Sequence, residues 1–106
     1  MSKVEDLMID FEQPSTNKIT IYSKSECINC YKVKDLLNKT GIDFHVINCD
    51  AYLVDNKTKM RFLEVIESLS DVPTNTFPMV FDADGKYIGG YTETKEYARS
   101  NLVFVF

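Results

Sequence analysis

Apolar residues change their spacing several times along this 106-residue chain, and each change marks a predicted element. Val4, Leu7, Met8 and Phe11 recur at i, i+3, i+4 and i+7, the spacing of one helical face, and Pro14-Ser15-Thr16-Asn17 breaks that pattern. Ile19-Thr20-Ile21-Tyr22-Ser23 then reads as a strand. Helical spacing returns over residues 31–39 through Val33, Leu36 and Leu37, with Gly41 placed to stop it. Residues 44–49, rich in Val and Ile, predict a second strand. Residues 55–69 predict a longer helix whose Phe62, Leu63, Ile66 and Leu69 face the core. Past the loop-like stretch 71–77, Met79-Val80-Phe81 and Lys86-Tyr87-Ile88 flank the turn signal Ala83-Asp84-Gly85, which predicts a hairpin. Gly89-Gly90 ends the second of these strands, and Thr92 is expected to cap a final helix closing near Ser100.

The predicted order is (α)βαβαββα, an α/β fold with a four-stranded mixed sheet. Alternating strands and helices make its first pairing parallel, and the closing hairpin adds an antiparallel portion. Residues 1–17 are read as an N-terminal amphipathic helix with its connector, and residues 18–106 as a single domain. A 44% hydrophobic composition suffices for one core in a chain of this length.

Composition narrows the function classes. The net charge is −4, and the twelve Lys and Arg are scattered, so the concentrated basic footprint that nucleic acid requires is missing. No apolar run approaches the roughly 20 residues of a membrane helix. The first residues do not form a basic segment followed by an apolar one, which predicts a cytoplasmic location. The aromatic end Phe104-Val105-Phe106 could pack on the sheet or against a second copy; a monomer is expected.

The chemistry concentrates in Cys27-Ile28-Asn29-Cys30, between the first predicted strand and the helix that follows. There the free N–H groups and the positive end of the helix dipole favour a thiolate. Positions i and i+3 lie about 5–6 Å apart on a helix, which suits a disulfide. Thiols in such a setting ionise in a range of about 3.5–7.5 instead of ~8.5. The extra thiolate is roughly cancelled by lower intrinsic nucleophilicity, so the main gain is a better leaving group when a mixed disulfide is resolved. Of the three cysteines this leaves Cys49, read as a small buried hydrophobe with at most a minor redox role. Cys27, Cys30, His45 and Cys49 also give C-x2-C-x14-H-x3-C, a formal zinc set. His45, the single histidine, and Cys49 lie on a strand pattern in a unit large enough to fold without metal, so no metal is expected.

Over residues 18–100 the motifs Lys24-Ser25-Glu26-Cys27-Ile28-Asn29-Cys30, Thr76-Phe77-Pro78 and Gly89-Gly90-Tyr91-Thr92-Glu93 occur in an order and spacing that resemble a dithiol glutaredoxin, a family with a thioredoxin-like fold. The resemblance implies a glutathione-dependent thiol-disulfide oxidoreductase that reduces protein disulfides and glutathione mixed disulfides. It implies glutathione as co-substrate, no tightly bound cofactor, and disulfide-containing or glutathionylated proteins as clients. By the same resemblance Cys27 is the nucleophile, Cys30 the resolving thiol, and Pro78 a cis proline, with Phe77 offering its backbone to glutathione. Gly90, Tyr91, Thr92 and Glu93 would take the γ-glutamyl end, and Lys24 a carboxylate. The chain departs from the family pattern in Ile28 for the usual proline, Asn29 for the frequent tyrosine, Glu26 beside the nucleophile, and Thr74 near a frequent glutamine. Two alternatives follow: an iron-sulfur cluster held through Cys27 and glutathione, which Ile28 leaves open, and a thioredoxin-like reductant that does not use glutathione, against which the Gly-Gly-Tyr-Thr segment argues.

Overall fold

A computed structural model describes residues 11–101. Four strands, β1 (Ile19–Ser23), β2 (Phe44–Asn48), β3 (Met79–Phe81) and β4 (Tyr87–Gly89), form one sheet in the order β2-β1-β3-β4. β1 and β2 run parallel, whereas β1–β3 and β3–β4 are antiparallel. The helices are α1 (Ile28–Asn38), α2 (Asn56–Ser70) and α3 (Tyr91–Asn101), and a short 3-10 turn, Asp50–Leu53, follows β2. The mixed sheet, with one parallel pairing and a closing hairpin, is the predicted architecture. Val4, Leu7 and Met8 of the predicted N-terminal helix lie outside the described residues, as does Phe104-Val105-Phe106.

Side chains alternate between the faces of a strand, and here the alternation assigns the layers. Ile19 and Ile21 of β1 and Val80 of β3 join Val33 and Leu37 of α1 on one face, with Tyr91 and Tyr97 of α3 packed against them. Tyr22, Met79 and Phe81 point the other way, into a cluster with Phe62, Val65 and Ile66 of α2, together with Phe11 and Ile47. Phe62 is fully buried at its centre, its ring 5.6 Å from Phe11, 5.9 Å from Tyr22 and 5.2 Å from Tyr52. Within α2 the fully interior positions are Phe62, Val65, Ile66 and Ser70, while Leu63 and Leu69, predicted to be core, pack only at its margin.

β2 stops at Asn48 and β4 runs through Gly89, one residue off the expected bounds, and the three helix starts differ from the sequence expectation, each for a capping reason. α1 begins at Ile28, three residues earlier than expected, because Cys27 itself is the cap and its Sγ accepts the Cys30 N–H at 3.2 Å. Asp55 lies just outside α2 and caps it by accepting the Thr58 N–H at 2.8 Å. Thr92 is not the cap of α3 but its second residue. Gly90 holds the cap position: its carbonyl accepts from the Thr94 N–H at 3.0 Å, and its own N–H donates to Glu93 Oε1 at 2.8 Å, half of a capping box.

Candidate active site

In a parallel pair both strands leave the sheet at the same edge, and the register Ser23↔Asn48 sends residues 24–26 and 49–50 out side by side. Cys49 N–H donates to the Ser23 carbonyl at 2.8 Å. One residue on, the Asp50 carboxylate takes the approach loop to Cys27 in both hands: Oδ1 accepts the Ser25 N–H at 2.9 Å, and Oδ2 accepts the Ser25 hydroxyl. The Ser25 hydroxyl first, then its N–H, with a smaller share from the Lys24 charge, hold the Asp50 carboxyl below the usual carboxylate range. Glu26, next to Cys27, is in the left-handed region at φ 55°, so the chain turns sharply into α1.

Cys27 and Cys30 are joined as a disulfide with Cα atoms 5.2 Å apart. Cys27 has φ −125° and ψ 102°, the extended geometry of a helix cap, and retains 7% exposure, whereas Cys30 in the first turn retains 1%. Of the two buried cysteines, the one that keeps more exposure is thus the one at the helix terminus.

A second segment approaches from the loop before β3. The Phe77-Pro78 peptide is cis, as the resemblance implied. Phe77 stacks on Phe62 with centroids 6.3 Å apart and planes at 6°, and the Lys24 ammonium lies 5.8 Å from its ring centre on the loop from β1. Thr74, upstream, is 3.5 Å from the Tyr87 hydroxyl of β4. A third segment is the start of α3. A β-carbon built on Gly90 would lie 3.6 Å from the Pro78 carbonyl oxygen, which places the Gly-Gly turn against the proline loop. Tyr91 reaches back to α1, where Lys32 Nζ sits 5.5 Å from its ring centre.

Of the residues singled out in the sequence, Lys24 thus meets Phe77, Gly90 lies against Pro78, and Tyr91 meets Lys32 on the helix that Cys27 caps. Thr92 and Glu93 are exposed in the first turn of α3, and Glu93 spends its carboxylate on the Gly90 N–H. The sequence reading missed Asp50, Lys32 and the support Phe62 gives Phe77. Asp50 had a usable signal, because an acid two residues past one parallel strand lies opposite the loop that leaves its neighbour. Cys49 is fully buried, in keeping with its reading as a small buried hydrophobe, and burial first, then the nearby acidic charges, push its thiol up to about 12 against an opposing hydrogen bond at Ser23. Among the described residues no three His, Cys, Asp or Glu side chains gather as a metal site, and His45 pairs with Glu12. An open groove of about 800 Å3 between α2 and residues 73–75 is lined by Met60, Leu63 and Pro73 and includes neither sulfur.

A cysteine pair closing the first turn of a helix, on a four-stranded mixed sheet of this topology, is the arrangement of the thioredoxin-like fold with a redox-active cysteine pair. Residues 19–88 match the family model for glutaredoxin. The chain is 36% identical over 83 residues to monothiol glutaredoxin-S10 of rice, covering 78% of this chain and 47% of that one, so it spans about half the length of that relative. It is 34% identical over 83 residues to a glutaredoxin of Vernicia fordii, covering 78% and 73% of the two chains. Glutaredoxin 1 of Francisella tularensis, solved with cacodylate, superimposes with a TM-score of 0.66 at 27% identity, covering 78% of this chain and 93% of that one. The chain belongs to the glutaredoxin family.

Proposed function

We propose that this protein is a glutathione-dependent oxidoreductase in which Cys27 attacks and Cys30 resolves. The observation that carries the assignment is the asymmetry of the pair. Cys27 caps α1, with its sulfur at the amide end of the helix dipole, and keeps more exposure than Cys30, which is enclosed in the first turn. In the reduced protein the Cys27 thiolate attacks the glutathione sulfur of a mixed disulfide, and the client thiolate leaves and takes a proton. A second glutathione thiolate then attacks the Cys27-bound sulfur, releasing oxidised glutathione and restoring the thiolate. With a client disulfide, Cys30 loses its proton and attacks the Cys27 sulfur, releasing the client, and two glutathione molecules reduce the resulting Cys27–Cys30 disulfide.

In this reading the tripeptide adds in extended form along the Phe77 backbone, beside Pro78. Lys24 attracts its glycine carboxylate. The first-turn amides of α3 at Tyr91 and Thr92 attract the γ-glutamyl carboxylate, with Gly90 allowing close approach. Glu93 contributes by holding the Gly90 N–H and hence the angle of that turn.

The test is turnover of a glutathione mixed disulfide with glutathione as sole reductant. Wild type and Cys30→Ser should turn over and Cys27→Ser should not. Activity in Cys27→Ser would overturn the assignment of roles. Turnover only with a dithiol reductant would move the protein to the thioredoxin-like alternative.

A further inference from the structure

We propose that the exposed N-terminal half of α1 is a docking surface for an acidic stretch of client polypeptide flanking the disulfide to be reduced. Among the described residues, the lysines laid over aromatic rings are Lys24 on Phe77 at 5.8 Å, Lys32 on Tyr91 at 5.5 Å and Lys34 on Tyr31 at 5.5 Å. All three belong to the loop and helix that carry the Cys27–Cys30 pair. Such contacts restrict a lysine stem while its ammonium stays hydrated, so less side-chain freedom is lost when an anion arrives.

On the helix surface Ile28 and Tyr31 form an apolar strip that is 68% and 59% exposed, with Lys32 and Lys34 following on α1. α1 has no acid in its first turn, and Asp35, next along the strip, is paired with Lys39 at 3.1 Å. The acids at the other end of the strip are Glu26, exposed beside Cys27, and Asp50, bound to Ser25. In a chain of net charge −4, a local group of lysines around the redox pair opposes the overall field and selects for anionic partners there. The partner must also carry a disulfide, which favours a polypeptide over other polyanions.

The inference rests on dithiol exchange by Cys27 and Cys30. Cys27 thiolate attacks one client sulfur and the other leaves, taking a proton. Cys30, losing its proton, then displaces the first, so two electrons pass from the protein dithiol to the client disulfide.

The experiment mixes the pre-reduced full chain with synthetic peptides bearing one intramolecular disulfide flanked by aspartates, serines or lysines, and follows a single turnover. At low salt the aspartate peptide should react about tenfold faster than the lysine peptide, and the two should converge near 0.5 M salt. Lys32→Glu combined with Lys34→Glu should abolish or reverse that ratio, and a far-ultraviolet circular dichroism spectrum matching wild type verifies that the variant is folded. Equal rates for the charged peptides, preference for the lysine peptide, or a ratio indifferent to the double variant would overturn the docking surface. A serine peptide that is not reduced at all would instead overturn the exchange reading beneath it.

Discussion

Replacing Gly89 by alanine drives a methyl group into the start of α3. A β-carbon at Gly89 would lie 2.6 Å from Glu93 Cβ, 2.7 Å from Cγ and 2.8 Å from Oε1. Carbon atoms pack best at about 3.5–4.0 Å, so the overlap is roughly 1 Å, and Glu93 Cβ, fixed to the helix backbone, cannot rotate out of the way. Overpacking of this kind costs ~1–3 kcal/mol. The φ of 136° adds a backbone penalty of about 1–3 kcal/mol for a residue with a side chain. A total near 3 kcal/mol is a large part of the ~5–15 kcal/mol that holds such a domain together, and lowers its melting temperature by roughly 12–24 °C. Urea unfolding of Gly89→Ala measures the total, and the Glu93→Gly background separates its parts. Without the Glu93 side chain the methyl has room, so Gly89→Ala should cost about 1–2 kcal/mol less there than in wild type. A total below about 1 kcal/mol, or the same cost in both backgrounds, would refute the steric reasoning. Because the same contact sets the position of Gly90 and Tyr91, folded Gly89→Ala should also show a raised KM for glutathione.

Phe62→Ala removes the ring on which Phe77 stacks, and should cost about 3–5 kcal/mol in urea unfolding and raise KM for glutathione in the folded fraction; an unchanged KM would separate Phe77 from the site. After reduction, an alkylating reagent at pH 8 should label Cys27 and leave Cys49 unmodified until denaturant is added, and native labelling of Cys49 at a comparable rate would contradict its burial. Burial raises the folded pKa of Cys49 from the usual 9.0 to about 12 and raises that of Tyr22 in the same direction. The contribution of Cys49 to stability is therefore complete below pH 9 and lost as pH climbs towards about 12, while that of Tyr22 begins to fall only above its usual 10.0. Cys49→Ala should flatten that alkaline decline in urea melts. The Asp50 carboxyl is held below its usual range, so its contribution is present above that range and disappears as pH falls through the folded value. Asp50→Asn should flatten the acid limb and alter the pH profile of turnover, because the loop into Cys27 loses its anchor; identical profiles would reduce Asp50 to a surface acid.

The elements and the redox pair were legible in the sequence because their determinants are local. Alternation in Ile19-Thr20-Ile21-Tyr22-Ser23, helical spacing through Val33, Leu36 and Leu37, and the junction at Cys27 depend on neighbours within a turn or two. Local propensity misplaced the cap of α3 by two positions, since Gly90 holds it and donates its N–H to the Glu93 carboxylate, a bond that the propensity of threonine does not reveal. What assembles the site joins residues far apart in the chain. Asp50 meets Ser25 across 25 residues, Lys32 meets Tyr91 between two helices, and Phe77 rests on a ring from α2. Those meetings depend on parallel register and on which face of the sheet each helix covers, quantities set when the whole core packs. The sequence by itself determined which sulfurs can exchange; the tertiary structure decided what surrounds them, because charge and packing act through space and are indifferent to position along the chain.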